Sequence, residues 1–194
     1  MNIQPILAEA EANLGRGRAV ATGIGVFLVV VNEKGDPLLR RRLEKDSLYG
    51  QDLSGKWEMT GGGMELSHFE QADSQEPAVS RYQRPALQAL AQELEEEAGL
   101  KLDDNEWFPL VMVPAFLCRK YERDGNPRTT IDLAFSTPVQ FSAFEPTAKF
   151  FELMERGGLM FVPRAKLPEI EIVSPRTRFL IEQALEINDL IARR

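Results

Sequence analysis

The 194 residues include 43% hydrophobic and 27% charged side chains, a balance typical of a folded domain and not of a disordered chain. The formal charge of -7 disfavours a long nucleic acid, which needs a basic track, but leaves a single nucleotide open as a ligand. The one cysteine excludes an internal disulfide, and no apolar stretch approaches the roughly 18–20 residues that span a bilayer. Since no basic signal-peptide segment opens the chain, we expect a cytoplasmic protein. We also expect a single domain over residues 1–194.

The first third of the chain predicts an N-terminal extension followed by strands. We assign residues 1–18 to the extension. Residues 24–31 are apolar and rich in β-branched side chains, which predicts a buried strand. Turn residues then lead to Leu38, where a return strand is expected to form a hairpin with the first strand. A short strand at 57–59 runs into three consecutive glycines.

The middle of the chain predicts a polar insertion and then a strong helix. Residues 66–84 are polar and irregular, so we predict a loop or an insertion there. Pro85 suits the first position of a helix, and Gly99 suits its C-terminal cap, so the helix is expected to run from Pro85 to Ala98.

The last part of the chain alternates strands and helices. Strands are predicted at 110–117 and 129–135, joined by a turn, and a further short strand at 159–162. Pro175 is expected to open a C-terminal helix. The elements mix hairpins with helices and show no βαβ periodicity, which predicts an α/β or α+β class.

The predicted helix ending at Ala98 carries an acidic face beside an apolar one. At 100° per residue, Glu93, Glu96 and Glu97 lie on one arc, next to the stripe of apolar side chains that should face the core. Like charges at this spacing repel one another, and a bridging cation would remove that cost. Mg²⁺ and Mn²⁺ prefer such oxygen ligands. A solvated charged helix face is the alternative interpretation.

The segment from Gln92 to Leu100 resembles the second half of the Nudix box, G-x5-E-x7-R-E-U-x-E-E-x-G-U, where U is aliphatic. Glu93 matches the first Glu of R-E-U, and Glu96 and Glu97 match the E-E pair. Residues 57–63 are similar to the strand and glycines that open the box. The resemblance implies an α/β/α sandwich with a mixed central sheet. It also implies that Mg²⁺ or Mn²⁺, held by these glutamates, supports hydrolysis of the pyrophosphate in a nucleoside diphosphate linked to another moiety.

The sequence also departs from the Nudix pattern. Gln92 stands where the pattern has Arg, and the first box Glu has no clear match. Gly62 and Gln92 lie 30 positions apart where the pattern has 14, so about 16 residues are inserted. These departures keep open a catalytically inactive Nudix-like module that binds a nucleotide or a protein. An isomerase of the same fold is a weaker alternative, because neither Cys118 nor His68 lies at a recognisable position for it.

Two glycines and two arginines are predicted to complete the site. The resemblance implies that the Gly61 carbonyl approaches the metal, and Gly62 would let a substrate phosphate come close. A simple turn before the insertion is the alternative for these glycines. Arg40 and Arg42 alternate along a strand, so both should point to one side and clamp a phosphate. Exposed strand-end charge is the alternative for each arginine.

Further glutamates are candidates for the general base that activates water. Glu93 is the first choice, and the resemblance implies Glu152 or Glu155 as alternatives, each of which would otherwise belong to an exposed helix face. His68, the only histidine, is expected to be exposed in the insertion. A homodimer is possible by resemblance to the family.

Overall fold

A computed structural model describes residues 22–43, 52–65, 67–70, 78–102, 111–123, 126–137 and 141–193. The predicted N-terminal extension at 1–18, and residues 66 and 71–77 of the predicted insertion, lie outside the described residues. No helix in the described ranges is long and apolar enough to cross a membrane.

The described strands are β1 Thr22–Val29, β2 Leu38–Arg41, β3 Trp57–Glu58, β4 Thr60–Gly63, β5 Leu100–Lys101, β6 Val111–Arg123, β7 Asn126–Ser136, β8 Glu145–Pro146 and β9 Leu159–Phe161. The α-helices are α1 Ser67–Glu70, α2 Ala78–Glu93, α3 Ala148–Glu155 and α4 Pro175–Ala192. A π-helical turn, Leu94–Ala98, follows α2 directly, and 3-10 helices lie at Phe141–Ala143 and Arg164–Glu169.

The central sheet is mixed, with the strand order β4-β1-β7-β6. Strand β1 runs antiparallel to β4 and parallel to β7, and β7 runs antiparallel to β6. A second, antiparallel sheet has the order β3-β2-β9, and β5 pairs with β8. Strands β6 and β7 confirm the two strands predicted at 110–117 and 129–135, and they pair with each other.

The hairpin predicted between the first strand and Leu38 is wrong. Both edges of β1 are occupied by β4 and β7, so β2 cannot join it and pairs with β3 and β9 instead. Only an isolated bridge between Val31 and Pro37 remains of the predicted hairpin among the described residues.

Alternate residues of β1 pack against different helices, as expected for a strand buried on both faces. Ile24, Val26 and Leu28 belong to a core cluster that includes the buried α2 residues Ala86, Ala89 and Leu90. Val29 belongs to a second cluster, with the buried α4 residues Leu180, Ile181, Ala184 and Leu185. The sheet therefore lies between two helical layers, and the predicted α/β/α sandwich is confirmed.

Helix α2 begins two turns earlier than predicted, at Ala78, so the loop predicted at 66–84 is wrong for 67–70 and 78–84. Pro85 lies inside the helix and not at its first position. An interior proline removes one backbone hydrogen bond and crowds the carbonyl four residues earlier, but residues 78–84 contain no glycine or second proline to stop the helix.

The acidic end of this helix is wider than the sequence predicted. Leu94–Ala98 form a π-helical turn, so the 100° spacing does not hold across the three glutamates. The predicted cap at Gly99 is confirmed: its φ is 65°, and its N–H donates to the carbonyls of Leu94 and Glu95. Leu94 and Ala98 stay fully buried, so the wider turn changes where the glutamates point without exposing the apolar face.

Candidate active site

A buried carboxylate, Glu58, binds two arginines from the neighbouring strand. Arg40 lies directly opposite Glu58 in the β2–β3 pair, and its Nη2 donates to Glu58 Oε1 at 2.6 Å. Arg42 donates from Nη2 to Glu58 Oε2 at 3.0 Å. The two arginines therefore share one side of the strand, as alternation predicted, but their side chains are only 23% and 20% exposed and are engaged inside the protein.

Glu97 extends this group, which we call the Arg40 cluster (Arg40, Arg42, Glu58 and Glu97). Arg40 Nη1 is paired with Glu97 Oε1, and the Gly61 backbone N–H donates to Glu97 Oε2 at 3.2 Å. Gly61 has a φ of 149°, and a Cβ there would lie 2.6 Å from the Cα of Phe27, which belongs to the paired strand. Glycine is thus required at this position on two counts, backbone conformation and space.

The Glu93 carboxylate rests directly against the backbone of Gly62. A Cβ on Gly62 would overlap the carboxylate, with Glu93 Oε2 only 2.7 Å away. The same substitution at Gly63 would meet no atom within 4 Å. The glycine run predicted to face a phosphate therefore also provides the space that Glu93 occupies.

Burial raises the pKa of both inward-facing glutamates. For Glu97 the pKa rises to about 7, because loss of solvent outweighs the opposing attraction of Arg40 and the Gly61 hydrogen bond, and Glu93 and Glu58 add repulsion. Burial is also the first cause of the raised pKa of Glu93, followed by repulsion from Glu96. The three glutamates therefore influence one another electrostatically.

Glu96 points to the exposed side of the turn and is held by a relay of neutral groups. Gln92 Nε2 donates to Glu96 Oε1 at 2.8 Å, and Gln92 Oε1 lies 3.0 Å from His68 Nε2. His68 Nδ1 accepts from the Glu65 backbone N–H at 2.8 Å. Since Nδ1 is an acceptor, Nε2 carries the proton and donates to Gln92. The expectation that His68 is exposed is wrong, because the residue is 8% exposed and packed where α1 meets α2.

A cavity of about 460 Å³ opens beside these glutamates. The described residues that line it are Arg40, Arg41, Arg42, Leu43, Glu96, Glu97, Lys149, Leu153, Arg156 and Gly158. Glu152 and Glu155, predicted as alternative bases, are exposed on α3 and absent from this lining, and Glu152 is paired with Arg156 at 3.2 Å. The structure therefore brings Arg40, Arg42, Glu96 and Glu97 together around one space but not Glu152 or Glu155.

The residues fit a divalent cation in chemical type. Glu93, Glu96 and Glu97 offer hard oxygen donors, and their mutual repulsion in a partly buried place is a cost that a dication would remove. In the described ranges, however, no three His, Cys, Asp or Glu side chains already form a group arranged to hold a metal. Both carboxylate oxygens of Glu97 already have partners, Oε1 in Arg40 and Oε2 in the Gly61 N–H.

Several residues of the site were not predicted from the sequence. Glu58 could be found only once β2 was known to pair with β3, since its two partners lie 18 and 16 residues away. Gln92 was noted as a departure from the Nudix pattern, but its contact with His68 depends on the unpredicted helix α1. Lys149 and Arg156 gave no signal, because exposed cations are ordinary on a helix surface.

No protein-family model matches the chain, and no curated protein matches it. Solved structures do. The chain is similar to the MutT protein of Methanosarcina mazei Go1, at 19% identity and a TM-score of 0.48 over 88% of this chain and 97% of that chain. It is similar to Shewanella oneidensis NrtR, at 14% identity and a TM-score of 0.48 over 86% of this chain and 62% of that chain.

A NUDIX hydrolase from Nitrosomonas europaea is also similar, at 13% identity and a TM-score of 0.46 over 86% of this chain and 90% of that chain. The chain thus resembles solved Nudix hydrolases. At these identities the likeness concerns the fold alone and assigns neither an activity nor a substrate.

Proposed function

We propose that the protein is a divalent-metal-dependent hydrolase that cleaves the phosphoanhydride of a nucleoside diphosphate linked to another moiety. The observation that carries this proposal is the position of Glu96 and Glu97 in the lining of a cavity with arginines on its wall, while Glu93 on the same helical segment repels both of them. Cleavage of a diphosphate requires an anion to lie beside carboxylates, which is unfavourable unless cations accompany it. Arginines on the wall and a metal among the glutamates would supply those cations.

Each residue has a distinct role in this proposal. Glu93, Glu96 and Glu97 would hold Mg²⁺ or Mn²⁺, with the Gly61 carbonyl as a further ligand, and the metal would supply positive charge to the diphosphate. Arg40 and Arg42 bind phosphate oxygens, and the Gly62 backbone allows close approach of the phosphate. Glu93 takes the proton of the attacking water. Water adds to one phosphorus, and the bond to the bridging oxygen breaks.

The test is chromatographic detection of the two phosphorylated products that cleavage forms from a panel of substrates with Mg²⁺ or Mn²⁺. The panel contains ADP-ribose, dinucleoside polyphosphates, nucleotide sugars and nucleoside triphosphates. Glu96→Gln and Glu97→Gln should each abolish turnover, because they remove carboxylate charge while keeping the shape. Glu95→Gln is the matched control, because Glu95 lies on the same turn but is exposed and is absent from the cavity lining. Its carboxylate pairs with Lys101 at 3.4 Å.

A catalytically inactive nucleotide- or protein-binding module is the second candidate. Two observations favour it: Gln92 replaces the arginine of the Nudix pattern, and the described residues hold no ready group of three metal ligands. Retained metal or nucleotide binding without turnover on any member of the panel would select this candidate over the hydrolase. The cytoplasmic location, the single-domain organisation and the possible homodimer stay predictions.

A further inference from the structure

The cavity is more highly charged than an ordinary ligand pocket of its size. Such pockets are usually lined mainly by hydrophobic and aromatic side chains, with a few polar groups. In this cavity no described lining residue is aromatic, and the only large apolar side chains in that lining are Leu43 and Leu153. Five described lining residues are cationic, namely Arg40, Arg41, Arg42, Lys149 and Arg156. The lining therefore favours a ligand with several negative charges.

Three of these cations are already engaged by the protein. Arg40 and Arg42 bind the buried Glu58, as described above. Arg41 donates from Nε to the Gly55 carbonyl at 2.9 Å and lies over the ring of Trp57, 5.9 Å from its centroid. These contacts fix the three side chains and partly balance the charge of Arg40 and Arg42.

The other two cations, on α3 and at its C-terminal cap, are held only by a neutral partner or by an exposed ion pair. Lys149 Nζ bonds to the backbone carbonyl of Glu96, a neutral partner that leaves its charge unbalanced. Arg156 is paired only with Glu152 among the described residues, and both side chains of that pair are more than 60% exposed. An exposed pair of this kind contributes little and exchanges easily for a stronger anion.

Lys149, Leu153 and Arg156 form one wall of the cavity. Their spacing of four and then three residues places them on one face of α3 and its cap. Lys149 lies at the end of this wall nearest the glutamates, because it contacts Glu96. Arg156 lies one helical turn beyond Leu153, farther from that contact. A ligand that begins at the glutamates and follows this wall meets both cations in succession.

We infer that the cavity takes a substrate with a further phosphate beyond the diphosphate that is cleaved, and that Lys149 and Arg156 bind this additional phosphate. The inference rests on the proposed function for the position of the diphosphate at the glutamates. It assigns to the two cations a role in selecting substrates with a longer phosphate chain or a phosphorylated leaving group, and no role in bond cleavage.

The test measures binding of inorganic pyrophosphate and tripolyphosphate to the full chain by isothermal titration calorimetry. Mg²⁺ is present, because the diphosphate lies beside the glutamates only when a cation accompanies it, and both ligands are checked for cleavage after each titration. Tripolyphosphate should bind about tenfold more tightly than pyrophosphate, as expected for added charge-assisted hydrogen bonds. Lys149→Gln and Arg156→Gln should each remove most of that gain. Lys166→Gln is the matched control, because Lys166 is an exposed cation on the 3-10 helix and away from the cavity lining.

The outcomes separate this inference from the proposed function. A gain that survives in both α3 variants, or an absence of tripolyphosphate binding, overturns the additional phosphate site. A gain lost in these variants but kept in Lys166→Gln supports it, whether or not any substrate is hydrolysed. Failure of the hydrolysis panel alone would remove the catalytic proposal and leave the anion site in place.

Discussion

Two adjacent glutamates on one π-helical turn lie in opposite surroundings. Glu97 faces inward, where it meets Arg40 and the Gly61 backbone and has its pKa raised to about 7 by burial. Glu96 faces outward, where a relay of neutral side chains holds one of its oxygens. The difference teaches that neighbouring glutamates need not be equivalent as ligands. On the inward side a positive charge compensates the Glu97 carboxylate, and on the outward side neutral groups only orient the Glu96 carboxylate.

Removing Arg40, on the inward side, should have the largest effect on stability, because this arginine pairs with two carboxylates. Arg40→Met leaves Glu58, at 7% exposure, and Glu97 without their shared partner. We expect the free energy of unfolding to fall by about 4 kcal/mol, as is usual when one partner of a buried ionic group is lost. Urea denaturation followed by circular dichroism measures this.

The control for this experiment is Arg156→Met, which removes an exposed cation from the same cavity and should change stability by no more than about 0.5 kcal/mol. If Arg40→Met lowers the free energy of unfolding as little as the control does, then Arg42 alone compensates the charge of Glu58. In that case the contacts of Arg40 do not restrain the inward side.

The pH dependence of stability tests the same side through Glu97. Its pKa is about 7 in the folded protein against an ordinary value of 4.5 for a glutamate, so the folded protein binds the proton more tightly. The free energy of unfolding should therefore fall as pH rises from 4.5 to 7, by about 3 kcal/mol, and then level off. Urea titrations of metal-free protein across this range measure the slope.

Glu97→Gln should lose this contribution, so the wild type and the variant should differ in slope between pH 4.5 and 7, whereas Glu95→Gln should keep the wild-type slope. Equal slopes for the wild type and Glu97→Gln would mean that Arg40 keeps the Glu97 carboxylate ionised. Burial would then not be the dominant influence on the pKa of Glu97.

Much of the scaffold followed from the sequence because it depends on local patterns. The β-branched run of β1, the acidic segment before Gly99 and the proline-started helix α4 each carry their signal within one segment. The misplaced elements depend on partners far along the chain. The sequence does not show that β7 pairs with β1, so it predicts a hairpin between β1 and the strand at Leu38. Pro85 favours a helix start at that residue, although α2 begins at Ala78.

The candidate site divides in the same way. The three glutamates were predicted from the local spacing within residues 92–100, and Gly61 and Gly62 from the glycine run that follows a short strand. The burial of Glu58 and the contact of His68 with Gln92 were not, because each joins segments that meet only after the sheet and α1 have formed. Sequence reasoning therefore found the groups that resemble a metal site but not those that restrain them.

Gly62→Ala tests the boundary between the two sides, where Glu93 lies. The added Cβ would overlap the Glu93 carboxylate and force it to move. Because Gly62 does not have a positive φ, alanine introduces this clash without backbone strain. We expect kcat to fall about a hundredfold, the usual consequence of displacing a reacting group by about an ångström. Steady-state kinetics on the best substrate of the panel measures this.

Gly63→Ala is the matched control, since a Cβ there meets nothing within 4 Å and kcat should stay near that of the wild type. Equal kcat values for the two alanine variants would show that the position of Glu93 against Gly62 has no role in turnover.

The smallest effect is expected on the outward side, where Gln92 restrains Glu96. Gln92→Leu breaks both contacts of the relay, whereas Gln92→Glu still accepts from His68 but cannot donate to Glu96. If the relay orients Glu96, both variants should raise the Mn²⁺ dissociation constant about tenfold. This is the lower end of the usual loss when a hydrogen-bond partner of a metal ligand is removed. Electron paramagnetic resonance of free Mn²⁺ measures the constant directly.

Gln183→Leu, on α4, is the control for an exchanged amide and should leave Mn²⁺ affinity unchanged, because its described partner is Glu186 on the same helix. A tenfold loss in Gln92→Leu but not in Gln92→Glu would mean that the hydrogen bond from His68 matters and the bond from Gln92 to Glu96 does not. Loss in neither would mean that the outward glutamate needs no restraint, so that the inward side, where Arg40 and Gly61 hold Glu97, alone determines the geometry of metal binding.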